Sequence, residues 1–185
     1  PKGVGALYVR KGTKLRPIIV GGHQERGRRA GTENVASVAG FGTACELAAA
    51  NIEHENTAVR TMRDRLEEGL LAAIPDSQRN GDRDFRLPNT SNISFEYIEG
   101  EGILLLLDRL GVAASSGSAC TSGSLEPSHV LRAMGLPFTQ AHGSIRFSLS
   151  RYNNPDEVEY VIQALPPIIA RLRMITPFNA QRATF

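Results

Sequence analysis

Between residues 143 and 174 the apolar residues change period, and this change restricts the fold more than any other feature. In residues 143–150, Ile145, Phe147 and Leu149 alternate with Ser144, Arg146 and Ser148. That pattern predicts a half-buried strand with Arg146 on the face opposite the apolar set. From residue 155 to about 174, Val158, Ile162, Leu165, Ile169 and Leu172 recur at helical spacing. Pro166 and Pro167 fall inside that helix. An interior proline removes a hydrogen bond and costs about 3 kcal/mol, so a kink or break is expected there.

The same two periods organise the rest of the chain. Residues 3–10 and 15–20 are rich in β-formers and read as strands. An Ala-rich helix follows over 35–51, capped by Thr32 or Asn34, and an amphipathic helix covers 54–74 and stops at Pro75. Residues 89–97 read as a strand, 101–110 as a short helix closed by Gly111, 112–114 as a short strand, and 128–134 as a helix entered through Pro127. Strands separated by helices, without repeats, give an α/β or α+β chain.

Composition excludes several classes. The 185 residues are 41% hydrophobic and 22% charged, the profile of a folded chain rather than a disordered one. A net charge of +2 is no electrostatic footprint for nucleic acid. The longest unbroken aliphatic run covers residues 103–107, far short of the roughly 20 residues that span a bilayer, so no membrane is expected. Cys45 and Cys120 have no CxxC or Cys/His company, which fits a reducing cytoplasm and suggests neither a disulfide framework nor a zinc site.

Three places could carry chemistry. In Ser115-Ser-Gly-Ser-Ala-Cys120-Thr-Ser-Gly-Ser124, every residue except Cys120 is Ser, Gly, Ala or Thr. The thiol has almost nothing to pack against, so it is either a reactive group on a pliant loop or an incidental surface cysteine. Arg146 could fork around a carboxylate, or it could be an ordinary solvated strand arginine. The loop from Gly21 to Thr32 places glycines, arginines and a hydroxyl just before a helix, the components of an anion site. Such loops also occur without a ligand. Cys45, within an Ala-rich helix, is most simply a packing residue.

Read together, four segments resemble one family: Pro1-Lys-Gly-Val-Gly-Ala-Leu-Tyr-Val9, Gly21-Gly-His-Gln-Glu-Arg-Gly-Arg-Arg-Ala-Gly-Thr-Glu-Asn34, the cysteine segment through Ser128, and Gly143-Ser-Ile-Arg-Phe-Ser-Leu-Ser150. They are similar to the second half of pyridoxal-phosphate cysteine desulfurases of the NifS type, associated with nitrogen fixation. The resemblance implies the C-terminal half of a fold-type I, aminotransferase-like enzyme. Residues 1–25 would end the large cofactor domain, and 26–185 would form the small domain carrying a mobile cysteine loop. It also implies conversion of L-cysteine to L-alanine in a homodimer, with the sulfur left as a persulfide on Cys120 and passed to an iron–sulfur scaffold protein. Thr32 then matches the contact to the cofactor phosphate across the dimer, and Arg146 the holder of the substrate carboxylate. Cys120 would also be a transient iron–sulfur ligand shared with the scaffold. Lys2 matches a non-catalytic lysine of the family. The lysine that binds the cofactor covalently would precede Pro1, so the 185-residue chain alone is expected to be inactive. Two other readings stand beside this one: a cofactor-free sulfur carrier using Cys120, and a nucleotide-binding domain using the Gly21 to Thr32 loop.

Overall fold

The computed structural model describes residues 1–116 and 127–176. The chain forms two compact units, Pro1–Ile52 and Glu53–Phe185. The Gly/Arg loop and most of the Ala-rich helix remain with the first unit.

In the first unit, residues 3–10 and 15–20 form no strand. Their β-formers are in place, but a strand needs a ladder of hydrogen bonds to a neighbouring backbone, and a single bond such as that from the Ala30 N–H to the Ile19 carbonyl oxygen at 3.2 Å does not make one. A four-residue turn, α1 (Gln24–Gly27), follows, with Glu25 and Arg26 in left-handed backbone. Next comes α2 (Val35–His54). Asn34 caps it, its side-chain oxygen accepting from the Ser37 N–H at 3.2 Å, as one of the two expected caps. α2 buries none of its residues. The helical path then passes through a π-turn (Glu55–Val59) into α3 (Arg60–Ala73), and the stretch Val35–Ala73 contains a window long and apolar enough to cross a membrane by length and composition.

The second unit is an antiparallel sheet with helices. Its strands are β1 (Ser77–Arg79), β2 (Thr90–Phe95), β3 (Ser115–Ser116) and β4 (Ser144–Ser148), in the order β1-β2-β4-β3. Between them lie α4 (Gly100–Asp108), α5 (His129–Ala133) and α6 (Phe138–His142), and α7 (Pro155–Ile175) ends the unit. β1 and α6 were not foreseen, being too short to show a period. The apolar face of the sheet, with Ile93, Phe95, Ile145 and Phe147, joins Leu66 and Leu70 of α3, Ile103 and Leu107 of α4, and Leu165 and Ile169 of α7 in one core.

Two close approaches fix this packing. A Cβ at Gly69 would lie 2.7 Å from Ile162 Cδ1, so α3 meets α7 at a glycine, and a Cβ at Gly143 would lie 2.2 Å from the Phe95 carbonyl oxygen. α7 begins with a capping box, in which Asn154 and Glu157 each accept the other's backbone N–H. It then runs through Pro166 and Pro167 without the expected break. Leu165, Ile168 and Ile169 around the prolines are buried, so core packing holds the helix across the missing hydrogen bonds.

Candidate functional site

β4 presents Arg146 as its alternation predicts: exposed, with Ile145 and Phe147 buried on the other face. The register sets Asn92 of β2 directly opposite Arg146 on one side and Ser115 of β3 opposite it on the other. Residues paired in this way share a face, with Cβ atoms about 5 Å apart. Thr90, Ser94, Ser144 and Ser148 occupy the same face. No carboxylate stands among these residues, and Arg146 makes no side-chain hydrogen bond or ion pair among the described residues. A guanidinium without a counter-ion on a neutral polar surface is suited to an incoming carboxylate or phosphate.

Asn92 is itself tied down. Nδ2 of Asn80, a residue only 8% exposed, donates to Asn92 Oδ1 at 2.6 Å and to Ser94 Oγ at 2.8 Å, while the Asn80 backbone N–H donates to the Asn92 carbonyl oxygen. Nothing in the local sequence marked these two asparagines. Their partnership comes from strand pairing between distant segments.

Thr32 lies in the first unit, exposed and with its hydroxyl unpartnered among the described residues. The loop before it is organised by Gln24, whose Oε1 accepts from the Gly31 N–H at 3.2 Å, and by Ala30, the buried residue of this unit. His23, Arg26, Arg28 and Thr32 are all exposed along this loop. That donor set fits a phosphate group and so one end of pyridoxal phosphate. Cys120 lies outside the described residues, and the metal-ligand role considered for it lies there too. Among the described residues no three His, Cys, Asp or Glu side chains are placed to hold a metal ion. Cys45 is exposed on α2, not packed as expected.

A second polar cluster is structural. Glu67 of α3 is 2% exposed and accepts hydrogen bonds from Arg86 at 2.8 Å, Arg79 at 3.1 Å and Ser91 at 2.6 Å. Burial alone would raise its carboxyl, but the hydrogen bonds from Arg86, Ser91 and Arg79 outweigh that and hold it at about 2. The cluster locks the 80–88 loop to α3. A cavity of about 630 Å³ at the start of α7 is lined by Leu66, Val112, Phe147, Leu149 and Val158, and its polar rim includes the capping pair Asn154 and Glu157, already committed to each other.

Comparison with known proteins bears on this arrangement. The chain is 64% identical over 178 residues to the cysteine desulfurase NifS of Azotobacter vinelandii, covering 96% of this chain and 44% of that protein. A solved NifS-like protein superposes with a TM-score of 0.74 at 34% identity, over 89% of this chain and 42% of its own. SspA, solved in complex with cysteine, does so with a TM-score of 0.55 at 32% identity, over 83% and 42%. The chain therefore spans less than half the length of the curated relatives it matches. The structural neighbours are fold-type I enzymes, which agrees with the fold class expected from sequence. Residues 1–161 match the family described as aminotransferase class-V, and with the fold and the cysteine desulfurase relatives in agreement, the chain is a member of that family.

Proposed function

We propose that this chain is part of a cysteine desulfurase that converts L-cysteine to L-alanine and leaves the sulfur as a persulfide on Cys120. The observation that carries this reading is the 64% identity to a cysteine desulfurase across nearly the whole chain. The unpaired, exposed Arg146 supports it, because the substrate carries a carboxylate to be held.

In this reading Arg146 orients L-cysteine through two parallel hydrogen bonds to its carboxylate. The Thr32 hydroxyl holds the phosphate of pyridoxal phosphate, which supplies the electron sink that makes the substrate C–S bond cleavable. The Cys120 thiolate attacks the substrate sulfur, an S–S bond forms, the C–S bond breaks, and the carbon skeleton gains the protons that complete alanine. The covalent attachment of the cofactor falls to a lysine outside this chain. Residues 1–25 complete the large domain and the rest forms the small one. The exposed apolar side chains of the first unit, Ile18, Val20, Val35 and Val38 among them, are covered by the remainder of the longer polypeptide. The enzyme acts as a cytoplasmic homodimer and delivers sulfur to a scaffold for iron–sulfur and nitrogenase clusters.

The test is steady-state kinetics of the full polypeptide. Arg146→Ala raises the KM for L-cysteine at least about tenfold, the loss expected of a charge-assisted hydrogen bond. Cys120→Ala stops sulfur transfer and leaves cofactor binding intact. An unchanged KM in the first variant, or full sulfur transfer in the second, contradicts the assigned roles.

A further inference from the structure

We propose that Asn80 is a latent modification site. When the 80–88 loop opens, the Gly81 backbone nitrogen attacks the Asn80 carboxamide and the residue is converted to aspartate or isoaspartate. The closed loop prevents this.

Asn80 and Gly81 form the single Asn-Gly step in the chain. Glycine has no Cβ to crowd its own nitrogen, so ring closure is less obstructed here than at any other asparagine of the sequence. The bond from Gly81 N to Asn80 Cγ forms and the Cγ–Nδ2 bond breaks. The proton lost by the Gly81 nitrogen passes through solvent to Nδ2, which leaves as ammonia. Water then adds to either carbonyl of the cyclic imide and opens it. No electrons are exchanged, and water is the co-reactant.

The fold exposes the nucleophile and hides the group it would attack. Gly81 is exposed, and its N–H donates to no partner among the described residues. Asn80 is 8% exposed, and Nδ2, the leaving nitrogen, donates to Asn92 Oδ1 at 2.6 Å and to the buried Ser94 Oγ at 2.8 Å. A carboxamide tied to β2 in this way does not swing back onto the nitrogen that follows it.

The buried Glu67 holds this arrangement closed. Two of its donors, Arg79 and Ser91, immediately precede Asn80 and Asn92, so one carboxylate grips both sides of the pair. Farther along the loop, Arg86 donates to Glu67 at 2.8 Å, and Arg63 Nη1 donates to the Leu87 carbonyl oxygen at 2.9 Å. Opening therefore breaks the same contacts that restrain the carboxamide. Asn80 Oδ1 is buried without a partner, and its hydration in the open loop offsets part of that loss. The product does not close again in the same way. A carboxylate at position 80 has no donor for Asn92 Oδ1, and isoaspartate lengthens the backbone where the Asn80 N–H meets the Asn92 carbonyl oxygen. Each molecule that opens and reacts is marked irreversibly.

The experiment follows Asn80 in the full polypeptide at neutral pH by peptide mass spectrometry, with isoaspartate separated by chromatography. In denaturant, Asn80 converts at least about tenfold faster than in the native protein. Ser94→Ala, which removes one of the two holds on Nδ2, raises the native rate at least about threefold. Glu67→Gln raises it further, and if that variant does not fold, Ser94→Ala decides. Asn80→Asp, made directly, lowers the melting temperature. Equal rates in native and denatured protein overturn the inference, because the fold then gives no protection. So does an Asn80 that stays unconverted in denaturant, because the step is then unreactive. Native rates unchanged by Ser94→Ala overturn it too, since the contacts named here then restrain nothing.

Discussion

The two units draw on similar residues and reach opposite outcomes. Residues 3–20 carry as many β-formers and aliphatics as β2 and β4, yet Ile18 is 96% exposed while Ile93 and Ile145 are fully buried. Among the described residues of the first unit only Ala30 is buried, whereas the second unit closes a core of 16 residues. Intrinsic preference is present in both. The difference is whether the chain itself supplies the neighbouring strand and the covering helix.

Amide hydrogen exchange on the 185-residue chain should separate the units most widely. The amides of Ile93 and Ile145 should be protected by at least about a thousandfold, and those of Leu7 and Ile18 should exchange nearly as free peptide. Comparable protection in both segments would break the comparison. Denaturation of point variants comes next. Phe95→Ala should cost about 3 to 5 kcal/mol, and Ile18→Ala should stay within about 0.5 kcal/mol in this chain. In the longer polypeptide Ile18→Ala should become the more costly of its two contexts, and an equal effect in both would show that nothing covers that side chain.

Acid sensitivity should be confined to the second unit and is a smaller effect. Glu67 is held at about 2, against 4.5 for an unperturbed glutamate, so the folded state prefers it ionised. The stability it lends is fully present above pH 4.5 and is lost as pH falls toward 2. The total is roughly 3 kcal/mol. Urea midpoints between pH 6 and pH 2 should show this decline, and Glu67→Gln should flatten it while lowering stability at neutral pH. A decline of the same size in the variant would place the acid sensitivity elsewhere.

Much of the second unit was legible because its signals are local. The alternation at Ile145, Phe147 and Leu149 gave both the strand and the outward face of Arg146, and the apolar spacing from Val158 to Leu172 gave α7 to within a residue at its end. Strands were misread over residues 3–20 because a pattern reports preference and is silent about partners. A break at Pro166 was expected because proline cost is local, whereas the burial of Leu165 and Ile169 that offsets it is tertiary. The grip of Arg79, Arg86 and Ser91 on Glu67 joins residues 12 to 24 positions apart, and the asparagine pair joins Asn92 of β2 to Asn80, 12 positions earlier and just past the end of β1, so no window along the chain displays either.

Fate of the substrate sulfur tests the central claim most directly. The full polypeptide, loaded with pyridoxal phosphate and given L-cysteine without an acceptor, should yield L-alanine and a peptide containing Cys120 heavier by one sulfur atom, lost on treatment with a reducing thiol. Alanine formation with that peptide unmodified, or with the added sulfur on Cys45 instead, would contradict the account.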